Sequence, residues 1–187
     1  MILNILKYPI ILLLIVFISG CTSTKVFQSD EPFIYKTVVS PTTNRIWMDR
    51  NLGAKRVCLT YDDIECYGNY YKWIDANRYS TCPEGFYIPS KDELYDEVSF
   101  LAVKAHPTFT TVLKIPAAGV ISAGVLFNED THSLLWSSSR FKNHSVYNLQ
   151  IYRKQFQHNG YSRQNKYYPY ISRNSRGNKL PVRCIKK

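Results

Sequence analysis

The stretch CPEGFYIPSKDEL, residues 82–94, holds a cysteine and the clearest helix start in the chain. Ser90 is followed three residues later by Glu93, the spacing of a capping box, in which each side chain accepts a hydrogen bond from the other residue's backbone. The apolar residues of one helix face then recur: Leu94, Val98, Leu101 and Ala102. Because proline cannot continue a helix, we predict an amphipathic helix that opens at Ser90, just after Pro89, and is closed by Pro107.

Two segments on the N-terminal side of this stretch carry local signals of their own. The β-favouring residues Thr37–Val39, the turn residues Pro41–Asn44 and the run Arg45–Met48 predict a hairpin across Tyr35–Met48. Farther along, aromatic and apolar residues at mixed helical spacing predict a short helix within Tyr67–Ala76.

On the C-terminal side the composition changes to β-branched residues, glycines and alternating polarity. The strand candidates are Val112–Ile115, Val120–Phe127, Leu134–Ser137, Val146–Phe156 and Leu180–Ile185. Two early helices followed by several short antiparallel strands are typical of an α+β fold. We therefore expect an α+β domain that is rich in loops.

The first twenty residues have the layout of a cleaved signal. One lysine precedes the apolar run Tyr8–Ile18, and two small residues stand directly before Cys21. The run is roughly half the length of about 20 residues that a membrane-spanning helix needs, so a transmembrane anchor is the weaker interpretation. Ile18–Cys21 resembles the lipobox of bacterial lipoproteins, in which the cysteine takes a diacylglycerol and the new N-terminus is acylated. The alternative is an ordinary secretory signal cleaved nearby.

The resemblance to Gram-negative lipoproteins extends to the residue after the cysteine. An Asp there favours retention in the inner membrane, so Thr22 implies the outer membrane. Several acyl chains at Cys21, palmitate among them, would anchor the protein lastingly. We expect residues 1–20 to be the signal peptide, 21–34 a lipidated tether and 35–187 one domain.

Four cysteines follow the lipidation site: Cys58, Cys66, Cys82 and Cys184. An even number in an exported protein indicates two disulfides, and four cysteines allow three pairings. We favour Cys58 with Cys66, since they flank a short polar loop that can close on itself, and this leaves Cys82 with Cys184. A zinc site is the alternative, but no CxxC or HxxxH spacing supports it.

Five short motifs occur in a specific order along the domain. They are RIWMDRNL (Arg45–Leu52), YGNYYKW (Tyr67–Trp73), CPEGFYIPS (Cys82–Ser90), WSSS (Trp136–Ser139) and PVRC (Pro181–Cys184). In this order they resemble the Fibrobacter major paralogous domain family and its relatives, which include the C-terminal domain of the Legionella collagen-like adhesin. The resemblance implies a C-type-lectin-like fold, in which the Cys82–Cys184 bridge corresponds to the conserved long disulfide. For function it points toward adhesion and glycan binding.

The sequence departs from animal C-type lectins at their calcium-dependent sugar motifs. Glu-Pro-Asn, Gln-Pro-Asp and Trp-Asn-Asp are absent, and Trp136 is followed by serines. Calcium-mediated sugar binding is therefore not expected. We expect the three tryptophans, Trp47, Trp73 and Trp136, to be core residues rather than sugar-stacking platforms, because a small domain needs large buried side chains.

Motifs for catalysis or cofactor binding are missing. The sequence has no G-x-S-x-G, no H-E-x-x-H and no P-loop, and its histidines do not have the spacing of metal ligands. We therefore predict no enzyme activity, no catalytic residues, no cofactor and no metal site. Asp62, Asp63 and Glu65 cluster in the small cysteine loop, where they either hold a calcium ion or form a solvated acidic loop.

Charge is distributed very unevenly along the chain. Residues 131–187 contain twelve Lys or Arg and no acidic residue, whereas residues 21–130 contain eleven basic and fourteen acidic residues. The net positive charge of the mature chain therefore comes from its last third, which favours an anionic partner. A basic face that only keeps the protein soluble is the alternative.

Seven aromatic residues are interleaved with these bases: Tyr147, Tyr152, Phe156, Tyr161, Tyr167, Tyr168 and Tyr170. Aromatic rings and cations together suit anionic polysaccharides, and they would also suit nucleic acid. Export argues against a genomic role. The ligand-binding residues predicted here lie among the tyrosines, in what we expect to be the stretch densest in loops: Arg153, Lys154, Arg163, Lys166, Arg173 and Arg176.

Two functions from different classes fit these observations. The first is a lipid-anchored envelope module that binds an anionic glycan or lipopolysaccharide. The second is an accessory lipoprotein that binds a protein partner in an envelope, pilus, secretion or exclusion assembly. A continuous basic groove would favour the glycan, and a large exposed apolar patch would favour the protein partner.

Overall fold

Two α-helices and eleven strands are present in the part of the chain that the structure describes. The computed structural model describes residues 34–78, 81–104, 112–158 and 161–187, with side chains except at 100–104, 153–158 and 161–167. The chain divides into Met1–Pro32, which lies outside the described residues, and Phe33–Lys187. The helices are α1 (Trp73–Arg78) and α2 (Lys91–Lys104). The strands are β1 (Thr37–Val39), β2 (Ile46–Met48), β3 (Tyr71–Lys72), β4 (Phe86–Tyr87), β5 (Val120–Ser122), β6 (Val125–Phe127), β7 (His132–Lys142), β8 (Ser145–His158), β9 (Tyr161–Ser175), β10 (Lys179–Leu180) and β11 (Ile185–Lys186).

The strands form three antiparallel sheets. Sheet A has the order β1-β2-β11-β4, sheet B the order β3-β10-β5-β6, and sheet C the order β7-β8-β9. The mixture of helices with antiparallel sheets confirms the expected α+β class. Within the described residues, no helix is both long and apolar enough to cross a membrane.

The N-terminal part of the domain contains the predicted hairpin and the predicted short helix, but the helix begins later than expected. The Tyr35–Met48 hairpin is confirmed as β1 and β2, with Val38 opposite Trp47. The helix predicted within Tyr67–Ala76 begins only at Trp73, after β3. Its start is later than predicted because Tyr71 and Lys72, directly before it, are extended and pair with β10.

The capping box at the start of α2 is confirmed. The Ser90 backbone N–H donates to Glu93 Oε2 at 2.7 Å, and the Glu93 backbone N–H donates to Ser90 Oγ at 3.2 Å. These reciprocal bonds satisfy two donors that a helix start otherwise leaves unpaired. The helix then buries Leu94 and Val98.

Two of the predicted strands are wrong as stated. Val112–Ile115 is not a strand, and Lys114 has φ 44°, a left-handed conformation that a strand cannot contain. Val120–Phe127 is a hairpin of β5 and β6 rather than one strand. Its two turn residues, Ala123 and Gly124, both have positive φ, as a two-residue hairpin turn requires.

The C-terminal strand predicted at Leu180–Ile185 is divided between two sheets. β10 pairs in sheet B and β11 in sheet A, and Pro181, which has no N–H, separates them. The carbonyls of the connecting segment accept bonds from three places, namely the backbone N–H groups of Trp136, Leu52 and Met48, at 3.1, 2.9 and 3.0 Å. Residues 181–184 are therefore held inside the domain.

The expectation of short strands and abundant loops is wrong for the C-terminal third. β7, β8 and β9 have 11, 14 and 15 residues, and the predicted strands Leu134–Ser137 and Val146–Phe156 are parts of β7 and β8. The stretch expected to be densest in loops is instead β9, which pairs with β8 along its length. Pairing across the sheet gives this polar segment its extended form.

Sheet C separates two apolar clusters. Alternation along its strands places Trp136 and Val146 in a cluster with Trp73 and the Cys82–Cys184 bridge, while Leu149 lies in a second cluster on the opposite face, which α2 covers. Trp47, Trp73 and Trp136 are all buried, so the expectation that they are core residues is confirmed.

Both expected disulfides are present. One joins Cys58 to Cys66 across eight residues, and the other joins Cys82 to Cys184 across 102 residues. The short bridge closes a local loop. The long bridge ties the segment before α2 to the strand that ends the domain.

Candidate functional site

A basic cleft of about 490 Å³ lies at one end of sheet C. It is built where β7 turns into β8 and where β9 ends, beside the start of α1. Its lining combines three cations with two aromatic rings: Trp73, Ile74, Arg140, Phe141, Lys142, Asn143, Val146 and Arg176. The described lining residues include no carboxylate.

Local irregularity in β7 brings its last residues to the cleft. The pairing of β7 with β8 shifts between Trp136 and Arg140 and again between Arg140 and Lys142. Such bulges change the direction of side chains at a sheet edge. On the other side, the Arg176 backbone N–H donates to the carbonyl of His144 at 3.2 Å, which ties the end of β9 to the β7–β8 turn.

Trp73 fixes the back of the cleft. Its indole Nε1–H donates to the carbonyl of Ser137 at 2.8 Å, and its side chain is almost wholly buried. The Arg140 guanidinium lies 5.3 Å from the centroid of this ring. A cation over an aromatic face is held by the quadrupole of the ring, so Trp73 positions Arg140 rather than offering an open stacking surface.

Phe141 organises a second group of cations. The Arg173 guanidinium lies 4.6 Å and the Lys142 ammonium 5.4 Å from its ring centroid. Tyr147 packs edge-on against the same ring at 5.4 Å. Two positive charges are therefore held near one aromatic ring at the rim of the cleft.

The bases of the cleft are not neutralised. Among the described residues, no carboxylate forms an ion pair with Arg140, Lys142, Arg173 or Arg176, and all five ion pairs lie within residues 45–96. Like charges at close range raise the local positive potential and attract anions. The arrangement can therefore bind a sulfate, phosphate or carboxylate group, with guanidinium forks supplying paired donors.

The structure brings two of the six predicted ligand-binding residues to this region. Arg176 lines the cleft and Arg173 lies at its rim, and both are exposed. The backbone of the other four lies on paired strands rather than in loops, and their side chains are outside those described: Arg153 and Lys154 on β8, and Arg163 and Lys166 on β9. Cys21 is also outside the described residues.

Arg140, Lys142, Phe141 and Trp73 were not predicted as site residues. The sequence signal for three of them is the run Arg140-Phe141-Lys142, an aromatic residue between two bases. Trp73 comes from a helix start 67 residues earlier, so no local pattern could have joined it to the others.

Arg183 belongs to the basic third but not to its surface. It is 0 % exposed, and its guanidinium donates to Asn51 Oδ1 at 3.0 Å and to the carbonyls of Leu113 and Met48 at 2.8 and 3.3 Å. Burial lowers the pKa of this guanidinium, and the charge of Asp49 opposes that shift. Arg183 therefore joins separate segments of the core, and it does not contribute to the exposed positive charge of the basic third.

The acidic loop uses its carboxylates internally. Asp63 accepts two hydrogen bonds from the Arg56 guanidinium, at 2.6 and 2.9 Å, and one each from the backbone N–H groups of Leu59 and Glu65. Glu65 forms an ion pair with Lys55 at 2.7 Å. Within the described residues, no group of three His, Cys, Asp or Glu side chains is arranged to hold a metal ion. The Asp63 carboxylate thus stabilises the disulfide loop itself.

The side chains that line the cleft indicate which kind of ligand it suits. Cations held by aromatic rings, open to solvent and without carboxylates, suit the recognition of anions. No protein-family model, no curated protein and no solved structure matches this chain.

Proposed function

We propose that this protein is an envelope binding module that recognises an anionic glycan or the phosphate groups of lipopolysaccharide. The observation that carries the proposal is the convergence of Arg140, Lys142 and Arg176 on a cleft with no carboxylate among its described lining residues. Sulfated, phosphorylated or carboxylated sugars supply the complementary charge, and their rings supply apolar surface for contact with the half-buried Phe141 ring.

Binding rather than catalysis is the role that this chemistry supports. Acyl or glycosyl transfer needs a nucleophile beside a base, or a pair of carboxylates, at the site. The described lining residues supply cations, aromatic rings and an amide instead. These groups hold an anion in place without activating a bond.

Charge reversal in the cleft tests the proposal. The double variant Arg140→Glu/Arg176→Glu is expected to weaken binding of heparin or lipopolysaccharide by about a hundredfold or more, because each lost charged contact costs about 1.5–3 kcal/mol. The measurement is calorimetric titration of the full-length protein in detergent, at low and at raised salt. Wild-type binding should also weaken with salt.

The matched control reverses two exposed lysines outside the cleft, Lys36→Glu/Lys186→Glu, and so changes the net charge equally. If the control weakens binding as much as the cleft variant, attraction by overall charge explains the affinity and the cleft proposal fails. Binding that ignores salt and both variants contradicts it as well. Heparin and lipopolysaccharide, titrated separately, distinguish a sulfated glycan from a lipid-linked phosphate.

The proposal includes a lipid anchor at Cys21 in the outer membrane. It rests on the apolar run that ends in two small residues before Cys21, followed by Thr22. Replacing Cys21 with Ser should move the protein from the membrane to the soluble fraction, because the acyl chains supply the membrane affinity. Membrane association that persists without any acyl mass on the protein contradicts the anchor.

A C-type-lectin-like architecture and kinship with the Fibrobacter major paralogous domain family are also part of the proposal. Support comes from the five ordered motifs, from the long bridge between Cys82 and Cys184, and from the adjacency of β2 and β11, which brings the two ends of the domain together. An experimental structure that placed the motifs in another topology would overturn it.

A protein partner in an envelope assembly is the second candidate. The observation that favours it is a pair of apolar side chains on the disulfide loop, Leu59 and Ile64, which are 70 % and 68 % exposed. These two side chains offer apolar surface that a partner protein would cover. If Leu59→Ser/Ile64→Ser abolishes cross-links to an envelope protein while heparin binding is unchanged, the loop carries this second function.

A further inference from the structure

We propose that the ligand of the basic cleft is an extended anionic polysaccharide that runs from the cleft along β9 to Tyr170, rather than a single anion or a short sugar. This inference rests on the function proposed for the cleft and deepens it by naming the length of the ligand. It places Tyr170 at the far end of one continuous binding track.

Alternation along β9 defines the track. Tyr168, Tyr170, Ser172 and Asn174 share one face of the strand, whereas Ile171 points to the opposite face, where it packs on a core cluster. The strand register places Asn174 opposite Val146, which lines the cleft. The face that carries the tyrosines is therefore continuous with the cleft.

The side chains of this face are open enough to contact a ligand. Ser172 and Asn174 are half-buried, and Tyr170 is 38 % exposed. These residues offer hydroxyl and amide groups for sugar hydroxyls, and residues 131–187 contain no carboxylate that would repel an anionic chain. The chemistry of the track and of the cleft therefore suits one polymer that carries both neutral and anionic sugar groups.

An aromatic cluster holds the far end of the track. The rings of Tyr152 and Tyr168 stack at 5.1 Å, and Tyr170 packs edge-on against Tyr152, with 6.0 Å between centroids and an interplanar angle of 79°. Tyr170 is exposed, whereas Tyr152 and Tyr168 are half-buried. Its ring is therefore held by its neighbours and is still accessible for contact with the apolar face of a sugar.

The distance along the strand separates long ligands from short ones. Arg176 is six positions after Tyr170, which corresponds to about 20 Å of extended chain. A free phosphate or a disaccharide can occupy the cleft but cannot contact both ends. Only a longer polysaccharide gains affinity from contact with Tyr170.

The test compares heparin disaccharide with heparin decasaccharide by calorimetric titration of the full-length protein in detergent, with affinities expressed per binding site. The wild-type protein should bind the decasaccharide about tenfold more tightly than the disaccharide. Tyr170→Ala should remove most of this gain and leave disaccharide binding unchanged. Tyr95→Ala is the control, because Tyr95 is an exposed tyrosine on α2.

The possible results distinguish failure of the track proposal from failure of the cleft proposal. Equal affinity for the two lengths overturns the track and leaves the cleft proposal standing. So does a Tyr170→Ala variant that weakens both lengths equally or neither. If no length binds, or if Arg140→Glu changes the affinity for neither length, the cleft proposal fails and the track fails with it.

Discussion

The basic residues of the N-terminal part and of the C-terminal third have different surroundings. The five ion pairs among the described residues all lie within residues 45–96: Arg45–Asp96, Arg50–Asp49, Lys55–Glu65, Arg56–Asp63 and Lys91–Asp92. The C-terminal third contains no carboxylate, and Arg140 and Arg176 line an open cleft. Charge in the first region is paired within the fold, whereas the described bases of the cleft have no carboxylate partner among the described residues.

Arg183 shows that the surroundings of a basic residue depend on its burial and not on its position along the chain. It belongs to the C-terminal third, yet its guanidinium is buried among carbonyls of the core. A count of charges from the sequence treats Arg183 and Arg176 alike. Only their surroundings place Arg183 in the core and Arg176 in an open cleft.

Loss of the long disulfide gives the largest predicted effect on stability. The short bridge lies within the N-terminal part, and the long bridge ties that part to the C-terminal end. In the chain-entropy model, loops of 8 and 102 residues correspond to about 2.5 and about 4.7 kcal/mol. Cys82→Ala/Cys184→Ala should therefore destabilise the protein more than Cys58→Ala/Cys66→Ala, as measured by urea unfolding. A larger loss from the short bridge would contradict this.

The second largest predicted effect on stability is the difference between a buried arginine, Arg183, and an exposed one, Arg176. Arg183→Met removes the donor that Asn51 Oδ1 and two carbonyls share, and it should cost about 3 kcal/mol of unfolding free energy. Arg176→Met is the matched control and should change stability by under about 0.5 kcal/mol, since Arg176 is exposed. Heparin affinity should respond in the opposite sense, with the larger loss in Arg176→Met. Equal losses of stability in the two variants would break the comparison.

The smallest predicted effect is a pH dependence confined to the N-terminal part. Burial raises the pKa of the Glu93 carboxyl, but hydrogen bonds from Tyr87 and Ser90 outweigh it, so this pKa lies below its usual value. A lowered folded-state pKa stabilises the protein above the unfolded carboxyl pKa of about 4.3, and this stability is lost as the pH falls through the folded-state pKa. Tyr87→Phe removes one of these bonds.

The Tyr87→Phe variant should therefore lose less stability on acidification than the wild type, by under about 1 kcal/mol. The measurement is the urea midpoint between about pH 5 and pH 3. Tyr95→Phe changes an exposed tyrosine on α2, the helix that carries Glu93, and should follow the wild-type curve. An unchanged slope in Tyr87→Phe would assign the acid sensitivity to other carboxylates.

Elements with strong local signals could be predicted from the sequence. The hairpin that ends at Met48, the Ser90 capping box and the two disulfides depend on residues that are close in sequence or few in number. Such features carry their own turn residues, caps or pairing constraints. Distant parts of the chain were not needed to recognise them.

The features that the sequence did not reveal depend on distant contacts. Tyr161–Ser175 forms β9 because β8 pairs with it, although its polar residues and Pro169 give little apolar alternation. The cleft joins α1 to the ends of β7 and β9, which are far apart in the sequence. Sequence charge singled out the third of the chain that supplies the three cations of the cleft, but it could not distinguish Arg183 from Arg140.

The position of β11 between β2 and β4 has a consequence for the order of assembly. Sheet A unites strands from both ends of the domain, so its centre stays open until Ile185 has been synthesised. Contacts between residues so far apart in sequence form slowly, because the chain loses the entropy of closing a long loop before it gains the contact energy. A chain that stops before Pro181 would lose Arg183, Cys184 and β11 together. We therefore expect truncation before Pro181 to destabilise the two parts of the domain that sheet A and the long disulfide join.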